Sequence, residues 1–245
     1  MRTSKKLKII TRISIVFLTT FSLFVSCDSP KKEPVKKNIK KEVIVPKVIE
    51  KKKPSHLTKQ YVKDYITSEN AVDFFTEYGK KNKETIVKIE TKLGNITVRL
   101  YKDTPLHRAS FIYMIRSGYY DTTCFYRVVP DFIVQGGNSD NLITPLYKEQ
   151  LHDYQIPAEF RKNRKHKRGA IAAARDWENN PEKKSSPFEF YFIQAKKDQS
   201  HLDFEHTVFG EIISGLNVID KITKVEIDRY EWPQDEINMK CTVIK

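Results

Sequence analysis

The chain has 245 residues, 39% apolar and 31% charged, enough to bury a core and still solvate a surface. Its net charge of +13 is unevenly spread: residues 1–60 hold 16 Lys and Arg against 4 Asp and Glu, whereas residues 61–245 hold 28 against 27. The excess belongs to a tail, which argues against a fold that tracks nucleic-acid phosphates, and no run of 18 apolar residues is present to span a bilayer as a helix.

Arg2, Lys5, Lys6, Lys8 and Arg12 make a positive start, followed by a largely apolar run of 13 residues, Ile13–Val25. That is the pattern of an export signal, with Ser26 as a small residue before Cys27. The stretch resembles bacterial lipoprotein signals, which implies a signal peptide at 1–26 and a lipid on Cys27. Residues 27–56 then read as a tether. Four Lys blocks (Lys31-Lys32, Lys36-Lys37, Lys40-Lys41 and Lys51–Lys53) are broken by Pro30, Pro34, Pro46 and Pro54, and both features favour an extended chain.

From 57 to 84 the spacing predicts a helical extension. Leu57, Tyr61 and Tyr65, then Ala71, Phe75 and Tyr78, form an apolar stripe, with Ser68 as N-cap and Gly79 as the stop. After it the period becomes two. Strands are predicted at Ile86–Thr91 and Ile96–Leu100 around a Gly94-Asn95 turn, then a helix opened by Thr104-Pro105 and closed by Gly118. Further strands follow at Thr123–Val129, Phe132–Gln135, Gly169–Ala174, Phe188–Ile193 and His206–Ile212. Ser214 is expected to cap a short helix before a last strand from Ile237 to Val243. The fold class is mainly β: a closed eight-stranded antiparallel barrel over residues 85–245 with two capping helices.

The most informative string is FYRVVPDFIVQGG at 125–137. Alternation puts Phe125 and Arg127 on one face, Pro130-Asp131 breaks the strand, and Ile133 and Gln135 share a face of the next. The arginine is expected to have no carboxylate partner there. An unpaired Arg beside a Gln and apolar side chains makes a groove with few charges.

This string resembles the signature of the cyclophilin-type peptidyl-prolyl isomerases. The resemblance runs from about Ile86 to Lys245 and is carried also by GNITVRLY (94–101), PLHRASFIYMIRSGYY (105–120), RGAIAAAR (168–175), EFYFIQ (189–194) and HTVFGEIISGLNVIDKI (206–222). It implies a cyclophilin-like barrel, with Arg127 and Gln135 catalytic. The substrate-binding residues implied are Phe132, Ile133, Ala174, Glu189, Tyr191, Leu202 and His206. Four positions depart from the family's form: Tyr126 stands for a His, Glu189 for a Gln, Arg175 for an Asn, and His201 where many members have Trp. IPAEF (156–160) and NNPEKKSSPFEFYF (179–192) look like the envelope lipoproteins of this family. The implied protein is a monomer, lipid-anchored in a bacterial envelope and facing the periplasm, acting on proline-containing polypeptides without cofactor, metal or nucleic acid. The altered rim, Glu189 and His201, keeps a second reading open: a non-catalytic peptide-binding or chaperone module using the same groove.

Other motifs carry less. His201 and His206 lack the ligand set of a zinc site. No G-x-S-x-G elbow is present, and Gly136-Gly137 reads as a tight turn instead of a phosphate loop. The basic run RKNRKHKR (161–168) reads as a solvated loop, or alternatively as a docking surface for acidic partners. Cys124 and Cys241 fall on predicted strands, as buried thiols or, in an oxidising envelope, as a pair.

Overall fold

The computed structural model describes residues 65–245. The export signal, Cys27, the Lys/Pro-rich tether and the Leu57–Tyr61 start of the predicted first helix lie outside the described residues. The element order is α1 (Ala71–Lys81), β1 (Ile86–Thr91), β2 (Gly94–Leu100), α2 (Pro105–Arg116), β3 (Cys124–Val129), β4 (Ile133–Asn138), α3 (Ile143–Leu151), β5 (Ala170–Ala173), β6 (Phe190–Ile193), β7 (Val208–Ser214), α4 (Leu216–Ile222) and β8 (Lys240–Val243).

All eight strands join one sheet in the order β3-β4-β6-β5-β7-β2-β1-β8, with every neighbour antiparallel. The sheet is a half-barrel, not the closed barrel that the strand count predicts. The four residues of β8 pair along β1, so β3 and β8 stay as edges. The irregular segment before β8 touches the start of β3 through the Cys124–Asn238 bridge and the Phe125 N–H donating to Ile237 O at 3.0 Å.

Alternation sorts the central strands between two apolar clusters. Val134 of β4, Ile171 and Ala173 of β5, and Phe190 and Phe192 of β6 join the large core with α1, α2 and α4. Their neighbours Ile133, Ala170, Ala172, Tyr191 and Ile193 face the other way, into a smaller cluster closed by Leu202 and Val208. The second cluster underlies the site.

Helix α1 begins later and ends later than its spacing predicts. Asn70 is the N-cap residue instead of Ser68, and Gly79 lies inside the helix. A Cβ at Gly79 would sit 3.2 Å from Arg108 Nη2 and 3.3 Å from the Ala109 Cβ, so the glycine permits close approach of α2. Arg108, buried on α2, donates to the carbonyls of Gly79, Asn82 and Glu84 at 3.1, 2.6 and 3.2 Å. It thereby satisfies the end of α1, where carbonyls lose their helical partners.

Helix α3 has no counterpart among the predicted elements. Asn141 Oδ1 accepts from the N–H groups of Ile143 and Thr144, both at 2.9 Å, and so starts it. The Gly136-Gly137 pair belongs to β4 and not to a turn. Gly137 has φ +99°, and a Cβ there would lie 2.1 Å from the Phe188 carbonyl oxygen. The basic run 161–168 is held down by ion pairs of Arg164 with Asp103, Lys165 with Asp203 and Arg168 with Asp220, at 3.0, 3.1 and 2.6 Å, which leaves less free charge than a solvated loop would have. Cys124 and Cys241 are buried free thiols.

Candidate active site

The site rests on a correction to the simple alternation of β3. Phe125 lies in the large core and is fully buried, so a regular strand would also bury Arg127. Instead the register slips: Phe125 pairs with Gly136 and Arg127 with Gln135. Tyr126 is the extra residue of a β-bulge, and both Tyr126 and Arg127 turn away from the core while Val128 returns to it.

From there the row continues across the sheet. Arg127 opposes Gln135, Gln135 opposes Tyr191, and Tyr191 opposes Ala172. Four strands thus place an arginine, an amide and an aromatic ring side by side. They border a cavity of about 350 Å³, whose lining also includes Phe132, Ile133, Ala174, Leu202 and His206. The cavity therefore gathers eight of the nine residues expected at the site. Glu189 is the exception. It lies outside the lining, where the Tyr126 hydroxyl donates to Glu189 Oε2 at 2.8 Å.

The backbone under Phe132 is fixed on both sides. Its carbonyl accepts from the N–H groups of Gln194 and Ala195 at 2.9 and 3.1 Å, and the Gln194 side chain accepts from Asp131 N at 2.9 Å. The Phe132 ring stacks on His201, 6.0 Å between centroids. The opposite wall is Tyr191 with His206 edge-on at 5.5 Å. His206 Nδ1 donates to the Ala173 carbonyl at 3.1 Å, and burial pulls its pKa down to about 4. The ring is therefore neutral near pH 7, adding no charge to the pocket.

Tyr191 carries a buried hydroxyl, and the structure accounts for it. Buried His166 places Nε2 3.1 Å from the Tyr191 oxygen, while its Nδ1 lies 3.0 Å from Asp203 Oδ1. The carboxylate can only accept, so Nδ1 carries the proton and the phenol donates to Nε2. Burial lowers the pKa of His166 against the opposing pull of Asp203, which keeps this arrangement neutral at the imidazole.

Arg127 has a carboxylate partner, from outside the 125–137 string. Glu231 Oε2 accepts from Arg127 Nε at 2.7 Å, and Gln135 Oε1 accepts from Nη1 at 3.4 Å. Among the described residues Nη2 makes no hydrogen bond. Glu231 comes from a tight loop in which Asp228 Oδ1 accepts from the N–H groups of Tyr230 and Trp232 at 2.8 and 2.9 Å. The same loop lays Trp232 on Tyr126 at 5.3 Å. The Gln135 amide donates to the Tyr126 hydroxyl and, at 3.4 Å, to Glu189. Sequence reading missed Glu231, Trp232 and His166; no local spacing marks them, since each reaches the site from a distant loop. It also passed over Trp177, which lines the cavity beside Arg175.

Comparison with known proteins adds the family. Residues 86–243 match the model described as cyclophilin type peptidyl-prolyl cis-trans isomerase/CLD. A peptidyl-prolyl cis-trans isomerase-like 3 of Dictyostelium discoideum is 35% identical over 160 residues, 64% of this chain and 94% of that protein. A peptidyl-prolyl cis-trans isomerase-like 2 of Rhizopus delemar is 32% identical over 165 residues, 66% of this chain but only 29% of that longer protein. Among solved structures, a Cryptosporidium parvum cyclophilin-type isomerase crystallised in the presence of the dipeptide Ala-Pro has a TM-score of 0.55 at 23% identity, covering 65% of this chain and 99% of that one. The likeness in fold agrees with the eight-stranded sheet, and the family model spans every strand of it. This chain belongs to the cyclophilin-type peptidyl-prolyl cis-trans isomerase family.

Proposed function

We propose that the chain accelerates rotation about X–Pro bonds in envelope proteins as they fold, with Arg127 stabilising the twisted transition state. The observation that carries this reading is the placement of Arg127: oriented by Glu231 and Gln135, with Nη2 uncommitted, at the mouth of a cavity walled by Phe132, Ile133, Tyr191 and Leu202.

The chemistry needs no nucleophile, because no bond is broken. Rotation is slow because the amide is conjugated, with a barrier of about 18–20 kcal/mol. Turnover in milliseconds requires lowering it by roughly 6 kcal/mol. In the twisted state the prolyl nitrogen loses conjugation and gains a usable lone pair. A guanidinium N–H aimed at that lone pair interacts with neither planar ground state, so its binding energy falls on the transition state alone. The apolar walls hold the ring, and Gln135 exchanges its long contact with Glu189 for a neighbouring carbonyl of the substrate.

A protease-coupled or NMR exchange assay on a short X–Pro peptide tests the reading, with acceleration over the spontaneous rate as the expected result. A second reading draws on the Gln135 amide, whose donors are already engaged by Tyr126 and Glu189: the groove binds peptide without catalysis. Peptide binding with no acceleration would select it.

The place of action is part of the proposal. The basic start, the apolar run and Ser26-Cys27 support a lipid-anchored, periplasm-facing protein held off the membrane by the 27–56 tether. Cys27→Ser should move the protein from the membrane to the soluble envelope fraction, and mass spectrometry of the mature N-terminus should find lipid on Cys27. An unmodified N-terminus at any other residue would remove the anchor.

A further inference from the structure

Trp177 is 64% exposed, although an indole of that size normally finds cover. It is nevertheless held in place. The Arg175 guanidinium carbon lies 4.0 Å from the ring centroid, and His206 meets the ring edge-on at 5.2 Å. Arg175 is itself fixed: its side chain is 4% exposed, Nη2 donates to Glu205 Oε2 at 2.9 Å, and Nε donates to the Glu205 carbonyl at 2.8 Å. The ring therefore sits on a built support.

The same His206 packs against Tyr191, so Tyr191, His206 and Trp177 form one aromatic wall. Its inner end, Tyr191, is buried in the pocket; its outer end, Trp177, lines the cavity and is open to solvent. A proline ring seated against the inner end brings its neighbouring residue toward the outer one. An exposed, preorganised indole at a cavity rim is the kind of surface that binds a large apolar side chain, because little conformational entropy remains to be lost.

We infer that Trp177, carried on Arg175, is a specificity-determining residue that selects substrates with a large apolar or aromatic residue next to the proline. The inference rests on the isomerase reading of the cavity and adds a substrate class to it.

The test compares tetrapeptides that carry Phe or Ala immediately before the proline, and a second pair that carries them immediately after. The full chain should prefer Phe over Ala on one side by about 10-fold in kcat/KM, the scale of a well-filled apolar subsite. In Trp177→Ala that preference should fall below about threefold, and Trp177→Phe should restore part of it. Equal rates for Phe and Ala peptides in the native protein, or an undiminished preference in Trp177→Ala, would overturn the inference while leaving the isomerase reading standing. If no peptide is turned over, the isomerase reading fails, and binding decides the inference separately. The chain has two tryptophans, so Trp232→Phe leaves Trp177 as the reporter. A shift of its emission with Phe-containing but not Ala-containing peptide supports the role; no shift with either overturns it.

Discussion

The two faces of the sheet obey different rules. On the core face, Val134, Phe190 and Phe192 join the helices in one apolar cluster, and each is placed by strand alternation alone. On the site face, Arg127 is aimed by a bulge, held by Glu231 from 104 residues away, and walled by loops that carry Leu202, His206 and Trp177. Burial on the first face is generic: any apolar side chain of the right volume serves. Position on the second is specific, because a donor misplaced by an ångström loses the transition state. Substitutions on the core face should therefore cost stability and spare turnover per folded molecule, and those on the site face should do the reverse.

The sharpest test of that division lies on α1. Phe75 is 1% exposed, with Tyr113 and Tyr154 against it at 5.8 and 5.3 Å. Phe75→Ala should cost about 3–5 kcal/mol of unfolding free energy, read by urea melts, with the specific activity of the folded fraction kept. An unchanged melt would detach α1 from the core. Next is Arg127→Ala, which should keep its melting temperature but lose about 10²-fold or more in kcat/KM, as for a transition-state donor worth ~2.7–4 kcal/mol. Native-like turnover in this variant would leave the proposed mechanism without its central residue.

The third test asks whether the site face also stores some stability. A histidine held at about pH 4 in the folded protein but near 6.5 when unfolded takes up its proton more readily in the unfolded chain. Stability from His206 is then fully present above about pH 6.5, falls as the pH drops, and is lost below about 4, amounting to about 3 kcal/mol. His206→Asn should flatten the acid side of the stability profile; a profile as steep as the native one would assign the acid sensitivity elsewhere. The smallest effect belongs to Glu231→Gln. The pair is more than a third exposed on both sides, so solvent screens it to about 0.2–1 kcal/mol. A loss of no more than about fivefold in kcat, with KM little changed, fits a residue that orients Arg127.

The core face was readable because a period of two survives inspection of a single segment. Ala170–Ala173 and Phe190–Ile193 sort themselves between the two clusters by position alone. The family string then located Arg127, Gln135, Phe132 and Ile133, and eight of the nine residues expected from it line one cavity. What the sequence hid has physical causes. Bulges leave no periodic trace, so alternation put Phe125 on the groove face with Arg127, whereas it lies in the core. Glu231 and His166 act through contacts that loops bring together, and nothing near them in the chain marks the partner. Helix α3 is started by the Asn141 side chain, and its apolar stripe, Ile143, Tyr147 and Leu151, spans only nine residues. Closure of the sheet depended on how the last strand pairs at its second edge: β8 runs along β1, and only the irregular segment before it meets β3, through the Cys124–Asn238 bridge.

The bulge also sets how this strand is free to vary. A regular strand gives each face every second side chain, at intervals of about 6.6 Å. Here two consecutive residues, Tyr126 and Arg127, project to the same side, while Phe125 and Val128 before and after them both stay inside. The strand thus carries a change of parity at one point, with each half in phase with the core. Exchange of side chains leaves that parity alone. Gain or loss of a single residue on either flank would throw one half out of phase, sending an aromatic ring to solvent or a guanidinium into the core. Length, more than composition, is what this strand has to conserve.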